Sequence, residues 1–265
     1  MLALIAGEGG LPREVARHLG APPLVCALDG FLPDDLPVDR HFRLETLGSL
    51  LADLHAQGVT EICLVGAIRR PVVDPAAIDA ATLPLIPILQ QAMMQGDDGA
   101  LRGVIAIFEQ SGFAVRAAHH IAPSLLPPPG CATARQPDAA AQSDLMRAQE
   151  VVAAMSAADV GQCCAVLAGQ VLATESVFGT DWMLASLRAR PDTGKGGVLY
   201  KAPKPDQDLR ADLPTIGRDT IRAAAAAGLD GVAIDTGGVI VLDLPGVLAE
   251  CDRLDLFLWV RDRAG

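Results

Sequence analysis

The residues best suited to chemistry in this sequence lie in one segment of the second half, between Lys201 and Asp212. This charged segment places cations and carboxylates together, at Lys201, Lys204, Asp206, Asp208, Arg210 and Asp212. Its prolines, and the residues that precede them, are disfavoured in a regular helix, so we expect a stiff, extended loop that displays the charges. Such a loop is suited to bind a polyanion together with a divalent cation.

A solvated surface loop is the plain alternative for the charged segment, because conspicuous charge usually lies at the surface. Two observations favour a site. The segment follows the apolar stretch of residues 197–200, which predicts a buried strand, and the chain is otherwise poor in lysine.

Composition predicts a folded α/β protein of one large or two ordinary domains. The 265 residues are 51% apolar with a mean hydropathy of +0.33, which can supply a large core. No apolar run reaches about 18 residues, and the N-terminus lacks a basic region before its apolar stretch, so we expect a cytoplasmic protein.

The net charge bears on a nucleic-acid partner, and the cysteine spacing bears on the state of the thiols. A formal net charge of -11 argues against a nucleic-acid partner, which requires a basic face. The six cysteines form no C-x-x-C pair and mostly lie in apolar runs, so we expect buried free thiols.

The N-terminus reads as the opening of a nucleotide-binding unit. The apolar run of residues 1–6 predicts a strand, and Gly7-Glu8-Gly9-Gly10-Leu11-Pro12 then leads into a helix over residues 13–19. The glycines would allow backbone N–H groups to approach a phosphate. A tight strand-to-helix turn without a ligand would look the same, and both interpretations stay open.

An adjacent arginine pair follows another predicted strand, at residues 61–65. The sequence there is Gly66-Ala67-Ile68-Arg69-Arg70-Pro71. Ligands of open α/β sheets gather at the carboxyl ends of the strands, so we expect Arg69 and Arg70 to face the same crevice as the glycine turn. They would serve as anion clamps, with a surface pair as the alternative.

Paired aspartates and paired histidines follow. Asp97 and Asp98 would either cap a helix over residues 100–110 or hold a divalent cation. A strand over residues 113–117 is predicted to end at His119 and His120, which would point to opposite sides if extended and so would not share a metal.

Alternating strands and helices predict a parallel, doubly wound sheet in the first half. A proline-rich stretch over residues 123–137 reads as a linker, and we place the domain boundary near residue 134. The predicted domains are therefore a Rossmann-like nucleotide-binding domain, residues 1–133, and a mixed α/β catalytic and lipid-binding domain, residues 134–265.

The second half predicts a helix over residues 138–159 and a hairpin over 163–174 that turns at Gly169. Thr180 or Asp181 would cap a helix over residues 182–190. A helix after Gly217 is followed by a second predicted hairpin, formed by residues 231–235 and 239–243, then by a last helix and a last strand.

Taken together, these motifs resemble the LpxI-type UDP-2,3-diacylglucosamine pyrophosphatases over nearly the whole chain. The motifs are residues 6–12, 66–71, 96–98, 159–162, Glu175 with 179–181, and 201–214. The last string is the most specific when combined with the N-terminal glycine turn. Glu8 and Asp235 stand where many relatives are expected to have Gly and Glu.

The resemblance implies a two-domain bacterial enzyme of lipid A biosynthesis. Such enzymes hydrolyse UDP-2,3-diacylglucosamine to UMP and 2,3-diacylglucosamine 1-phosphate, use Mg²⁺ or another divalent cation, and direct water at the β-phosphorus. The expected partners are this substrate and its glycolipid product. Peripheral contact with the inner membrane and a homodimer are left open.

Pyrophosphate hydrolysis calls for a cation on the phosphates, basic groups that offset developing charge, and a carboxylate that orients water. As a hypothesis, Asp208 and Asp212 bind the metal with help from Glu175 or Asp98. Lys201, Lys204 and Arg210 would neutralise phosphate oxygens. Together with Asp208 and Asp212, these three residues form the predicted catalytic group. The predicted substrate-binding residues are Gly9, Gly10, Leu11, Pro12, Ile68, Arg69, Arg70 and Thr180.

Two rival functions stay in view. A non-catalytic nucleotide- or glycolipid-binding module would use the charged segment only as an anchor. A sugar-nucleotide-modifying enzyme, either a transferase or an oxidoreductase, is disfavoured because the glycine turn is not a complete G-x-G-x-x-G.

Overall fold

The structure, a computed structural model, describes residues 1–69, 71–94, 96–190, 195–204, 207–210 and 213–262, and it leaves out the side chains of Met93, Asp97 and Asp98. The chain divides into two compact units. The first comprises Met1–Pro123 with Asp208–Asp212, and the second comprises Ser124–Gln207 with Leu213–Gly265.

In its described residues, the first unit contains a fully parallel sheet. The strands are β1 (Leu2–Ala6), β2 (Leu24–Leu28), β3 (Arg40–Phe42), β4 (Glu61–Val65) and β5 (Ala114–Val115), in the spatial order β3-β2-β1-β4-β5. The helices are α1 (Leu11–Arg17), α2 (Leu47–Ala56), α3 (Ile86–Met93), α4 (Asp97–Gln110) and α5 (Ala118–Ile121).

The strand order of the first sheet produces a topological switch point. β1, β2 and β4 are buried at four of their five positions, as expected for parallel strands covered on both faces. The order reverses between β1 and β4, which makes their carboxyl ends the topological switch point. The predicted Rossmann-like parallel sheet is confirmed.

Two local predictions in the first unit are wrong. The backbone of Asp97 and Asp98 lies inside α4, whose N-cap is Gly96, so the predicted helix start at residue 100 and the aspartate cap both fail. The predicted strand before the histidines is only two residues long. His119 and His120 lie on α5, with ring centroids 4.4 Å apart, because the chain turns helical at Ala118 instead of staying extended.

The second unit is a mixed sheet with helices on both faces. Its strands are β6 (Gly130–Cys131), β7 (Cys163–Leu167), β8 (Gln170–Thr174), β9 (Val198–Lys201), β10 (Thr215–Ile216), β11 (Gly231–Asp235), β12 (Ile240–Val241) and β13 (Phe257–Arg261). Its helices are α6 (Ala139–Ala157), α7 (Gly179–Leu187), α8 (Arg218–Ala226) and α9 (Leu244–Leu254).

The second sheet has the order β6-β13-β11-β9-β7-β8. Strands β9, β11 and β13 are mutually parallel, and β7 runs antiparallel to both β8 and β9. Strands β8, β9, β11 and β13 therefore end at one edge, which we call the second-sheet edge. The predicted mixed α/β character of the second half is confirmed.

The hairpin predicted from residues 231–243 is wrong. β11 pairs in parallel with β9 and β13, whereas β12 pairs in parallel with β10 in a separate small sheet. Both segments are fully buried, so each is paired and covered by elements that are distant in sequence.

The predicted boundary at residue 134 lies inside the second unit. Gly130 and Cys131 pair with β13, and Leu258 N–H donates to Thr133 Oγ1 at 3.1 Å. These contacts join residues 130–133 to the second sheet although the proline content of the segment resembles a linker.

Side chains of β9 alternate between the two faces of the second sheet. Val198 and Tyr200 pack in the core that includes α6, whereas Leu199 packs in the core that includes α7, α8 and α9. The six cysteines are free thiols, and only Cys131 is not fully buried. Within the described residues, the helices are too short or too polar to cross a membrane.

Candidate active site

Lys201 is the last residue of β9, so the extended loop predicted to carry it begins one residue later. The strand alternation places its side chain on the face of α7, and the residue is 8% exposed. Its Nζ donates to Thr180 Oγ1 at 2.9 Å and to Thr215 O at 3.4 Å. Among the described residues, no carboxylate forms an ion pair with this ammonium.

Thr180 joins Lys201 to a buried carboxylate. Its hydroxyl donates to Glu175 Oε1 at 2.5 Å, and Glu175 Oε2 accepts the backbone N–H of Gln162 at 2.9 Å. Glu175 follows β8 directly, and Thr180 is the second residue of α7. The helix starts at Gly179 after an N-cap at Phe178, so the predicted capping role for Thr180 or Asp181 is wrong.

This arrangement leaves a buried cation with neutral direct partners. An ammonium carries three N–H donors, and two of those on Lys201 are taken by a hydroxyl and a carbonyl. Isolated burial of a charge is costly, and an anionic ligand is one way to offset that cost. Lys201 is therefore suited to bind a phosphate oxygen at the second-sheet edge.

The residue beside Lys201 on β7 is buried as well. Cys163 pairs in register with Lys201 and is completely buried. Burial raises the pKa of the Cys163 thiol well above its usual range, so it stays protonated and is inert as a nucleophile.

The opposite face of the same edge carries a separate polar group, formed by Tyr200, Asp235 and Arg261. Tyr200 Oη donates to Asp235 Oδ1 at 2.9 Å, and Arg261 Nη1 lies 3.7 Å from the same oxygen. Burial, followed by the Asp235 charge, raises the pKa of Tyr200 above its usual range. In the sequence, Asp235 ends a predicted apolar strand and Arg261 directly follows the last one, so their positions were the available signal.

Lys204 has its own ion pair within the second unit. Its Nζ donates to Asp159 Oδ1, and its backbone N–H is bonded to Gln207 Oε1 at 3.0 Å. The structure thus gives Lys204 a carboxylate partner, whereas Lys201 has none among the described residues. Asp206 and Asp212 lie outside the described residues.

Asp208 and Arg210 belong to the first unit and bind each other. Arg210 donates to Asp208 through its backbone N–H, Nε and Nη2 at 2.8–3.0 Å, and its Nη1 donates to Glu109 Oε1 at 2.6 Å. The Arg210 hydrogen bonds lower the pKa of the Asp208 carboxyl, and those carboxylates raise the pKa of Arg210. The predicted catalytic residues therefore divide between two separately packed groups.

The switch point of the first sheet brings together the two predicted binding loops. Gly7 N–H donates to Val65 O at 2.8 Å, and Glu8 and Ala67 exchange backbone hydrogen bonds at 2.9 and 3.0 Å. Gly9 has a φ of +95°, and Gly10, Leu11 and Pro12 follow it into α1.

An exposed ion pair joins the same two loops. Arg69 Nη2 donates to both carboxylate oxygens of Glu8 at 3.1 Å, and the Arg69 side chain is 80% exposed. Ile68 precedes it and is 39% exposed. Arg70 lies outside the described residues, so its predicted role is not addressed.

The predicted metal ligands do not assemble within the described residues. Asp208 is held by Arg210, and Glu175 is held by Thr180 and Gln162. The part of the chain that the structure describes holds no group of three His, Cys, Asp or Glu residues that could bind a metal ion. The side chains of Asp98 and Asp212 lie outside it, so the metal site stays a prediction.

Comparison with known proteins connects both units to one family. The LpxI N-terminal domain matches residues 1–125, and the LpxI C-terminal domain matches residues 128–259. A relative from Caulobacter vibrioides is named UDP-2,3-diacylglucosamine pyrophosphatase LpxI. It is 37% identical over an aligned length of 270 residues, and the match covers 97% of this chain and 96% of the relative. The resemblance drawn from the motifs is confirmed, and this chain belongs to the LpxI family.

Proposed function

We propose that this protein hydrolyses the pyrophosphate bond of UDP-2,3-diacylglucosamine, producing UMP and 2,3-diacylglucosamine 1-phosphate for lipid A biosynthesis. The observation that carries the proposal is the 37% identity to a pyrophosphatase of that specificity over almost the full length of both chains. Both domains of the family are present, so the similarity is not confined to one binding module.

The second-sheet edge supports a hydrolytic role over simple binding. Cleavage transfers negative charge to the leaving phosphate, and a pre-positioned cation in a water-poor site stabilises that charge most effectively. Lys201 has this character, since it is buried and directly contacted by neutral groups.

In the reaction we propose, water attacks the β-phosphorus and the bond from that phosphorus to the bridging oxygen breaks. The bridging oxygen leaves with UMP. Lys201 offsets the charge on the phosphate oxygens as this bond lengthens. The glycine turn and Arg69 of the first unit bind the nucleotide end of the substrate, as the sequence predicts.

A divalent cation, Mg²⁺ or another, is part of the proposal, although no step is assigned to it. The described residues alone do not complete a metal site, because they hold no group of three His, Cys, Asp or Glu residues that could bind one. Asp212 and Asp98 are the remaining predicted ligands. Calorimetric titration of the metal-free protein with Mg²⁺ tests this part, with Asp212→Asn and Asp98→Asn as variants that should bind it more weakly.

The hydrolysis is tested by incubating the purified protein with UDP-2,3-diacylglucosamine in ¹⁸O-water and measuring the masses of the products by mass spectrometry. We expect UMP without the label and 2,3-diacylglucosamine 1-phosphate with one ¹⁸O atom. Label in UMP would place the attack at the α-phosphorus. A transferred sugar, a modified but uncleaved nucleotide sugar, or unchanged substrate would support one of the two rival functions instead.

The acyl chains of the substrate lead us to propose that the enzyme meets it at the inner membrane surface. Co-sedimentation with phospholipid vesicles checks this contact. A peripheral association is reversible, so the bound fraction of the protein should fall as the lipid concentration is lowered. Homodimer formation is a separate prediction, checked by light scattering of the purified protein.

A further inference from the structure

The chain of hydrogen bonds from Glu175 through Thr180 to Lys201 has a direction that the proposed reaction can use. All three residues are at most 8% exposed, and they come from the segment after β8, from α7 and from the end of β9. A hydroxyl has one proton to donate and lone pairs with which to accept. A carboxylate only accepts, so the Thr180 hydroxyl donates its hydrogen bond to Glu175 and turns the lone pairs of Oγ1 towards Lys201.

Thr180 also keeps the two charges from pairing directly. Glu175 and Lys201 form no ion pair in the described residues, although both contact the same hydroxyl. A direct ion pair would compete with a phosphate for the ammonium. The intervening hydroxyl holds the lysine in place while leaving most of its charge for the ligand.

Glu175 is fixed from its other side as well. Its backbone N–H donates to Cys163 O at 2.8 Å, and its second carboxylate oxygen accepts the Gln162 N–H. A Cβ on the neighbouring Gly161 would lie 2.7 Å from Glu175 O, so that position accommodates only glycine at this distance. The backbone of Glu175 is therefore fixed, and its carboxylate is held by one backbone N–H as well as by Thr180.

We propose that Glu175 and Thr180 are positioning residues for Lys201, which hold its ammonium at the second-sheet edge so that one N–H is aimed at a substrate phosphate. This proposal rests on the proposed function for the identity of the phosphate. It gives Glu175 a different role from the metal-binding one that the sequence suggests, and it places Thr180 behind the lysine instead of against the substrate.

The test compares variants that change one hydrogen bond at a time. Thr180→Val removes the hydroxyl at nearly constant volume, Thr180→Ser retains it, and Glu175→Gln replaces the acceptor by an amide. A hydrogen bond to a charged group corresponds to a factor of about 10 to 100 in rate. We expect Thr180→Val and Glu175→Gln to lower kcat by about that factor with a smaller change in KM, and Thr180→Ser to stay within about threefold of the parent.

Two controls separate positioning from a structural role. Tyr200→Phe removes a buried hydrogen bond on the opposite face of the same edge and should leave kcat unchanged. Since Glu175 acts through Thr180, the double variant Glu175→Gln/Thr180→Val should lose no more activity than Thr180→Val alone. Thermal unfolding of each variant verifies that it is folded.

The inference is overturned if Thr180→Val is as active as Thr180→Ser, if Tyr200→Phe loses as much as Thr180→Val, or if the two losses multiply in the double variant. An inactive parent would instead remove the proposed function. In that case, calorimetric binding of inorganic pyrophosphate still tests the positioning: the serine variant should bind like the parent, and equal binding by the valine variant would contradict the inference.

Discussion

The carboxyl edges of the two sheets use different means to prepare for a ligand. The edge of the first sheet consists of glycine-rich backbone and an ion pair between Glu8 and Arg69, whose side chains are 37% and 80% exposed. The second-sheet edge carries Glu175, Thr180 and Lys201, all buried and joined by hydrogen bonds.

This difference matters because burial strengthens electrostatic interactions. Two charges near water interact weakly and are screened by salt, whereas the same charges in a low-dielectric interior interact several times more strongly. The first edge is suited to shape and backbone recognition of a nucleotide. The second edge is suited to stabilise charge that develops during a reaction, and each prediction below tests one side of this contrast.

The largest expected effect is on Lys201. Lys201→Met should lower kcat about 10²- to 10³-fold, because it removes a buried donor directed at developing charge. Lys204→Met is the matched control: Lys204 is paired with Asp159, so its replacement should cost much less. Steady-state hydrolysis of UDP-2,3-diacylglucosamine provides the measurement, and an equal loss in both variants would remove the special role of the buried lysine.

At the first edge we expect the main effect to be on stability. A Cβ on Gly7 would lie 2.5 Å from the backbone oxygen of Ala67, so Gly7→Ala should destabilise the first unit by about 1–3 kcal/mol. Gly10 has φ -82° and open space around it, so Gly10→Ala should change stability by less than about 0.5 kcal/mol. Urea unfolding distinguishes the two, and equal destabilisation would contradict the close approach of the loops.

A smaller effect is expected from the exposed ion pair. Arg69→Ala should change stability by less than about 1 kcal/mol, because both side chains are substantially exposed. It should nevertheless weaken UMP binding if Arg69 contacts the phosphate. Glu8→Gln would then release Arg69 and strengthen UMP binding, as measured by calorimetry, whereas unchanged affinity in both variants would exclude Arg69 from the site.

The smallest effect concerns the ion cluster of Glu250, Arg222 and Arg253 on α8 and α9 of the second unit, which serves as a reference. Hydrogen bonds from Arg253 and then Arg222 lower the pKa of Glu250 from 4.5 to about 2. The stabilisation is fully present above about pH 4.5 and is lost as the pH falls towards 2.

Replacing Glu250 tests this reference directly. Glu250→Gln should be less stable than the parent at pH 7, and the difference should shrink between pH 4.5 and 2. The free energy of unfolding at several pH values is the measurement. The variant should hydrolyse substrate at the parental rate, and a large loss of rate would show that charge away from the edges also matters for the reaction.

Some site predictions could be made from local sequence, whereas the outcome of others depended on how the chain packs. The glycine turn and the loop of Arg69 were predicted to face each other because the strands of an open parallel sheet end at the same edge, and the two loops do meet. The charged segment was predicted as one site, yet Lys201 ends a strand of the second unit whereas Asp208 and Arg210 pack in the first. A run of charges in sequence does not reveal in which compact unit each of its members packs.

The second hairpin failed for a related reason. The residues of β11 and β12 are apolar and joined by a short glycine turn, which is also how a hairpin looks. Their true partners, β9, β13 and β10, are distant in sequence. Continuous burial shows that a strand is covered, but it does not identify the strand beside it.

By itself, the sequence determined the α/β class, the parallel sheet of the first half and the family, because hydrophobic periodicity, glycine turns and ordered motifs are local properties of the chain. Only the tertiary structure decided that Lys201 is buried against Thr180 and Glu175, and that Asp208 is bound to Arg210. Those contacts depend on which strands and helices lie side by side, and long-range packing fixes that arrangement.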